Sequence, residues 1–426
     1  MIAKERIVLF AKECLPKIFQ DEGINDSSAS SLSAISTNDV TIRQLCRLWG
    51  GKGYIYKITV QVGDENKGKQ SFTFVMKHIA EPPGAYDTLP LGDRRKALSY
   101  HVEANFYRHL ASDAVFHHNL VVPRPYLVVD GADDHKDADN SKEKNNTNGD
   151  IIICMSYLEG QDFDSAYYSY NPTRSRFRKP AHLALDWLAT FHASHWDVIT
   201  THENDGTKMT SSSLEELIQS TGLQPIGSYW HLDTRPDEHA SMARRGWEGR
   251  LKRAARAIDQ CLKRDPMQCI IHGDPKSANI MLVKQSTAAA STEDNNTVAA
   301  FYDFQYCGKG SPTRDLAYFL CSSCDEDEEE TLVSYYHERL VAQLQSNNKR
   351  LAEEKSLKRS LEIPTLDHLR DSLALAYCDF CRFMAGWGYW GYDIQDRVKT
   401  TLDRLDGGKD LGSEEGYHEA IRNEFW

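Results

Sequence analysis

The chain has 426 residues, of which 40% are hydrophobic and 26% charged. That composition excludes a disordered or collagen-like protein and suggests two to three units of ~150 residues each, or one large bilobal enzyme. Fifty basic and 62 acidic residues give a net charge of −12, which argues against general nucleic-acid binding while leaving room for a local basic pocket.

Residues 1–39 read as an N-terminal helical extension, with Ile7, Phe10 and Ala11 on one face of an amphipathic helix. Its apolar run, Ile7 to Ala11, is broken by charges on both sides. It is too short for a signal peptide, and no segment nears the ~18 apolar residues of a membrane span. A cytoplasmic protein is therefore expected, and the sequons at Asn25, Asn145 and Asn295 are read as chance.

Residues 40–154 carry the strand signals. Tyr54–Val62 and Ser71–Ile79 alternate around the polar turn GDENKGKQ, as a β-hairpin does. A helix is expected around Leu98–Leu110 and a further strand at Ile151–Met155. Residues 130–150 hold no apolar side chain beyond alanine and read as a disordered insertion. From 155 to 426 the pattern becomes helical, at 180–196, 212–220, 238–264, 312–323, 330–345 and 366–388. Short apolar strands between Cys269 and Phe304 interrupt it; 285–297 reads as a polar surface segment, and 344–360 as a polar, lysine-rich surface stretch that suits a loop or an extended exposed helix. The expected fold class is α+β, a small sheet-based lobe followed by a larger, mostly helical one. Cys321/Cys324 and Cys378/Cys381 have a spacing that suits either zinc or two small hydrophobes on one helix face. His192 and His195 end a helical run and pose the same choice.

The chemistry concentrates in Cys269-Ile270-Ile271-His272-Gly273-Asp274-Pro275-Lys276-Ser277-Ala278-Asn279-Ile280-Met281-Leu282. An apolar strand enters a polar loop and a second strand leaves it. Twenty-four residues after Asn279, the strand Phe301-Tyr302-Asp303 ends in an acid. Asp274 and Asn279 have the spacing of a kinase catalytic loop, where the Asp serves as base and the Asn holds a metal. Phosphoryl transfer asks for positioning and for cancellation of charge, which Mg2+ supplies through hard oxygen ligands. Asp303 and Asn279 both offer such oxygens. The competing reading is a surface loop with incidental carboxylates.

The same hypothesis needs a cation upstream on a strand and an acid on the helix after it. Lys77 ends the strand Phe72–Lys77, sharing a face with Thr73 and Val75. Glu103 projects beside the Val102/Phe106 stripe. Each is otherwise a solvated charge. Gly51 and Gly53, in Trp49-Gly50-Gly51-Lys52-Gly53-Tyr54, stand where a phosphate-covering loop belongs, although a plain turn fits equally and no Walker-type loop occurs.

In these residues the chain resembles the aminoglycoside phosphotransferase and choline kinase group of protein-kinase-like small-molecule kinases. It is closest to their ecdysteroid-kinase-like branch. Ile271–Asp274 with Asn279, Asp303-Phe304-Gln305, Arg314–Leu320 and Leu188–Ala193 carry the likeness. The resemblance implies a bilobal protein-kinase-like fold, ATP and Mg2+ as cofactors, and a small-molecule alcohol as acceptor. It implies Asp274 as base, Asn279 and Asp303 as metal ligands, and a Lys77–Glu103 pair positioning the nucleotide. Adenine is then expected at the linker Met155-Ser156-Tyr157-Leu158. Lys276 replaces an aromatic residue of the branch and resembles the protein-kinase lysine that reaches the γ-phosphate. No Ala-Pro-Glu segment is present, which disfavours a protein substrate. A catalytically silent nucleotide-binding scaffold and a protein kinase remain the alternatives. Tyr389, Trp390 and Tyr392 either pack in the core or line a pocket for an apolar or cationic alcohol.

Overall fold

The structure is a computed structural model and describes all residues except 1, 25–31, 33–34, 49–50, 65–67, 81–87, 119, 132–148, 176–177, 198, 202–207, 210–212, 286–295, 354–357 and 426. Most of the expected insertion at 130–150, and of the polar segment at 285–297, lies outside the described residues. The chain divides into two compact units, residues 1–115 with 122–159, and 116–121 with 160–426.

The first unit is built on a five-stranded antiparallel sheet: β1 (Val40–Arg47), β2 (Gly53–Asp64), β3 (Gly68–Ile79), β4 (Pro125–Asp130) and β5 (Ile151–Ser156). The strand order is β1-β2-β3-β5-β4. Period-two alternation sends Tyr56, Ile58 and Val60 of β2 to the same face as Phe72, Phe74 and Met76 of β3, all of them buried. Helix α1 (Lys4–Asp21) covers that face with Ile7, Phe10, Ala11, Leu15 and Phe19, so the N-terminal segment is part of the sheet's core. The rings of Phe19 and Phe72 meet edge-on at 4.8 Å. Lys77 has the opposite parity to Met76, and it is the residue that meets helix α2 (Leu91–His109).

The second unit is mainly helical. Its principal helices are Pro180–Ser194, Gly246–Arg264, Pro312–Ser323, Glu329–Glu353 and Leu366–Trp387, followed by Gln395–Asp406 and Glu414–Phe425. Besides a sheet of Ile199–Thr201, Lys208–Met209 and Lys358–Ser360, two small sheets interrupt them. One joins β6 (Gly160–Asp162), β8 (Ile280–Lys284) and β9 (Thr297–Phe301), and the other pairs β7 (Cys269–Ile271) with β10 (Gly308–Gly310). These are the apolar strands expected between Cys269 and Phe304.

One helical expectation is corrected, and the reading of the stretch from 344 as an exposed helix holds as far as Glu353. The single helix at 238–264 is two, Pro236–Ser241 and Gly246–Arg264. The chain turns between them, and Gly246 takes φ +69°, a conformation that side-chain-bearing residues rarely adopt. All ten cysteines are free and all but Cys46 are buried. Cys321, Cys324, Cys378 and Cys381 are buried among apolar side chains, and among the described residues no group of three or more His, Cys, Asp or Glu side chains could hold a metal ion. No helix among the described residues is long and apolar enough to cross a membrane.

Candidate active site

The strand β7 is wholly buried and delivers His272, Gly273 and Asp274. Gly273 has φ +82°, and a Cβ there would lie 2.1 Å from the Tyr306 carbonyl oxygen and 2.8 Å from the Ser228 nitrogen. Only glycine permits that approach. The turn is held from behind by Asp315, on the Pro312–Ser323 helix. Its carboxylate accepts from the backbone N–H groups of His272 (2.7 Å) and Gly273 (2.9 Å). His192 faces the same carboxylate at 3.2 Å and the Tyr336 hydroxyl at 2.7 Å. It is a structural histidine and no metal ligand. The His272 ring places Nε2 3.1 Å from the Tyr302 carbonyl, which leaves Nδ1 to accept from the Asp274 N–H at 3.2 Å. Burial pushes its pKa down to about 4, so the ring is neutral.

Asp274 is 2% exposed. Its two oxygens have different surroundings. Oδ2 accepts from the Lys276 ammonium at 2.9 Å and from Asn279 Nδ2 at 3.0 Å, whereas Oδ1 is buried and completes no hydrogen bond of ordinary geometry, with the Tyr318 hydroxyl close enough to the carboxylate to pull its pKa down. Burial, helped by the Asp303 charge, raises the Asp274 pKa to about 6, even though Lys276 pulls it down. Asn279 Nδ2 also donates to the Asp274 carbonyl at 2.8 Å. The amide oxygen of Asn279 is therefore the atom left for another partner. Asp303 follows β9 at φ +68°, and its Oδ1 accepts from Gln305 at 2.8 Å. The two loops are stitched together where Tyr302 N–H donates to the Asn279 carbonyl at 3.2 Å and the Tyr302 hydroxyl to the Ala278 carbonyl at 2.7 Å.

A wall of rings runs from this loop. The Tyr229 and Tyr318 hydroxyls are 3.3 Å apart, and the Asp274 charge, after burial, raises the pKa of both. Tyr318 and Phe380 meet Trp390 edge-on at 5.3 and 5.4 Å. Tyr392 is engaged elsewhere, since its hydroxyl donates to Glu329 at 2.5 Å and the Arg397 guanidinium lies 5.5 Å over its ring. Tyr389 donates to Glu248 at 3.0 Å. Of the three rings expected to line a pocket, Trp390 alone is in ring contact with a residue next to Asp274.

In the first unit, Lys77 Nζ and Glu103 Oε2 form an ion pair at 2.5 Å, with side chains only 5% and 1% exposed. Glu103 thus projects from α2 into the sheet, and neither group is a solvated charge. Gly53 opens β2 opposite Ile79, and Gly51 precedes it at φ +72°. Met155 is buried in β5, and beyond it Ser156 N–H donates to the Arg124 carbonyl at 2.9 Å. The Tyr157 ring carries the Lys57 ammonium 3.8 Å from its centroid. Sequence reasoning gave no role to Asp315, Tyr229 or Tyr318. The acid at the head of the apolar run Leu316–Leu320, within the Arg314–Leu320 segment that carries the family likeness, was the available signal for the first.

A strand–loop–strand presenting a buried Asp with an Asn five residues on, and a second Asp ending the next strand, defines the kinase-like class of sites. The sequence model of the ecdysteroid kinase-like family matches residues 52–349, and the chain belongs to that family. No curated protein matches it. Among solved structures, similarity is found to a microcompartment-associated aminopropanol kinase, at 14% identity over 84% of this chain and 93% of that one, with a TM-score of 0.37. A choline/ethanolamine kinase family protein from Mesorhizobium loti is 12% identical over 90% and 92%, with a TM-score of 0.37. An aminoglycoside-3'-phosphotransferase of type VIII is 13% identical over 84% and 100%, with a TM-score of 0.37.

Proposed function

We propose that the chain is an ATP- and magnesium-dependent phosphotransferase acting on a hydroxyl of a small molecule. The observation that carries this reading is Asp274 Oδ1, a buried carboxylate oxygen that completes no hydrogen bond of ordinary geometry, beside a second carboxylate. A buried unpaired oxygen costs about 1–3 kcal/mol, and a hydroxyl donor arriving there offsets that cost. Asp274 accepts the hydrogen bond of the acceptor hydroxyl through Oδ1 and orients its oxygen. Lys276 and Asn279 hold Oδ2 and so fix the carboxylate plane.

Asn279, through its amide oxygen, and Asp303 are hard oxygen donors that suit magnesium. The neighbouring Asp303 charge, which adds to burial in raising the Asp274 pKa, fits a cation in the same place. Bound there, the metal would supply charge neutralisation on the triphosphate. In the first unit, Glu103 holds the Lys77 ammonium for the α- and β-phosphates, Gly51 and Gly53 belong to the phosphate-covering turn, and the backbone of Met155 and Tyr157 offers adenine its hydrogen bonds.

The test is magnesium-dependent ATP consumption over a panel of alcohols. Asp274→Ala is expected to lower turnover by about 10²–10⁴-fold with nucleotide affinity kept, and Asp303→Ala to weaken magnesium-nucleotide binding. Wild-type turnover in Asp274→Ala would overturn the assignment. Nucleotide binding by the native protein with no alcohol phosphorylated would mark a silent scaffold instead.

A further inference from the structure

The wall of rings beside Asp274 does not end in open aromatic faces. Beyond Tyr229, the guanidinium of Arg235 lies 5.4 Å from the Tyr229 ring centroid, 5.2 Å from that of Phe383 and 5.5 Å from that of Trp387. Three rings from two separate stretches of chain converge on one cation. Tyr229 and Phe383 meet edge-on at 5.5 Å, and Phe383 and Trp387 stack at 5.8 Å. Arg235 is fixed as well as stacked. Its Nε donates to the Tyr229 carbonyl at 2.8 Å and its Nη1 to Glu238 at 3.1 Å. Trp387 stays 54% exposed, so the cage opens to solvent.

Aromatic faces grouped in this way attract a cation through their quadrupoles, and they suit a quaternary ammonium well. Here the chain supplies its own. An ammonium approaching Asp274 along this wall meets a fixed positive charge in place of free ring faces. An uncharged or anionic body meets ring edges and a guanidinium with donors to share. We propose that Arg235 is a specificity-determining residue: it fills an aromatic cation cage beside Asp274 and excludes ammonium-bearing alcohols, so that the acceptor's non-reacting part is uncharged or anionic. The inference rests on the reading of Asp274 as the group that faces the acceptor.

The probe is tetramethylammonium, followed by titration calorimetry and tryptophan fluorescence on the full chain without turnover. Wild type should show no saturable binding. Arg235→Ala uncovers the three rings and frees the Glu238 carboxylate, and should bind the probe at least tenfold more tightly. Arg235→Lys, which keeps a cation in place, should stay silent, and Trp387→Ala in the Arg235→Ala background should lose the gained binding. Unchanged nucleotide affinity and melting temperature establish that each variant is folded. If Arg235→Ala does not fold, Arg235→Gln removes the charge while keeping a donor for Glu238, and the same gain is expected. Saturable binding by wild type as tight as by the variant overturns the proposal, as does no gain in a folded Arg235→Ala or Arg235→Gln. Because the probe assay needs no catalysis, its failure is distinct from failure of the Asp274→Ala test.

Discussion

Two buried charged centres in the second unit invite comparison. In the first, Arg314 reaches Asp259 at 3.2 Å and Asp379 at 3.3 Å. Arg382 pairs with Asp379 at 2.8 Å and donates to the Trp230 carbonyl at 2.5 Å, while Lys263 bridges Asp259 at 2.5 Å and Asp233 at 2.7 Å. Three cations meet three carboxylates. The network ties together the Gly246–Arg264, Pro312–Ser323 and Leu366–Trp387 helices. In the second centre, Lys276 supplies the ammonium paired with Asp274, and the Asp303 charge lies close enough to help raise the Asp274 pKa. Asp274 Oδ1 completes no hydrogen bond of ordinary geometry, as is also true of Arg314 Nη1, Asp379 Oδ2 and Arg382 Nη1 in the first centre, where Arg314 Nη1 and Asp379 Oδ2 nonetheless face each other as opposite charges at 3.3 Å. The only two non-glycine residues at positive φ among those described, Ser228 at 78° and Asp303 at 68°, are both in this neighbourhood. Both centres place charge where water is scarce. The first compensates it within the chain, as structural ion networks do. The second sets two carboxylates side by side on a loop with positive-φ backbone, a combination that fits a site prepared for a ligand.

Substitutions that delete charge should therefore act in opposite directions in the two centres. The largest effect is expected at Asp379. Its replacement by Ala strands two buried guanidinium groups, and loss of one partner of a buried pair costs about 3–5 kcal/mol. Chemical denaturation should show that loss. A cost below about 1 kcal/mol would mean that the network is not what locks the helices. Asp274→Asn should do the reverse. A carboxyl raised from 3.8 to about 6 on folding destabilises the ionised folded state at pH 7 by about 3 kcal/mol. Neutralising it should raise stability towards that figure while turnover falls. A variant less stable than wild type at pH 7 would show that the Asp274 charge is compensated after all.

How much of this was legible in the sequence follows from how each residue is connected along the chain. Asp274, Asn279 and Asp303 could be read because one strand–loop–strand and the end of the next strand carry all three. Lys77 and Glu103 stand 26 residues apart, yet strand alternation and a helical stripe each assign them a side. Asp315 serves the loop by accepting two backbone N–H groups, a contact that no periodicity encodes. Tyr229, Tyr318 and Arg235 reach the site from segments whose local pattern says only that they are aromatic or charged. The same limit explains α1. Its apolar face was visible, but the sheet surface it covers is assembled from β2 and β3 and cannot be read from either alone. The break at 242–245 was missed because Met, Ala and Arg all tolerate a helix and only Gly246 marks the turn.

A smaller effect would sharpen the comparison by titrating the network's edge. His231 is 4% exposed, its Nδ1 has no hydrogen-bond partner, and it faces four cations: Arg314, Lys263, Arg382 and Arg235. Burial first, and those charges next, hold its pKa well below the ordinary 6.5. The folded protein therefore keeps His231 neutral at a pH where the unfolded chain has already taken up a proton. Stability is undiminished above pH 6.5 and falls as the pH drops below it, since the unfolded state binds the extra proton. One unit below 6.5, the loss attributable to this one residue is about 1.4 kcal/mol. Denaturation midpoints measured from pH 7.5 to 5.5 should show that slope in wild type and a shallower one in His231→Asn, which offers polar atoms without a titrating ring. The network would then have a cationic rim that tolerates no further positive charge, in contrast to the Asp274 loop, whose excess is negative. Parallel slopes in the two proteins would mean that water or a carboxylate reaches His231 in solution, and that the balance of charge around Arg314 extends further than the three cations and three carboxylates described.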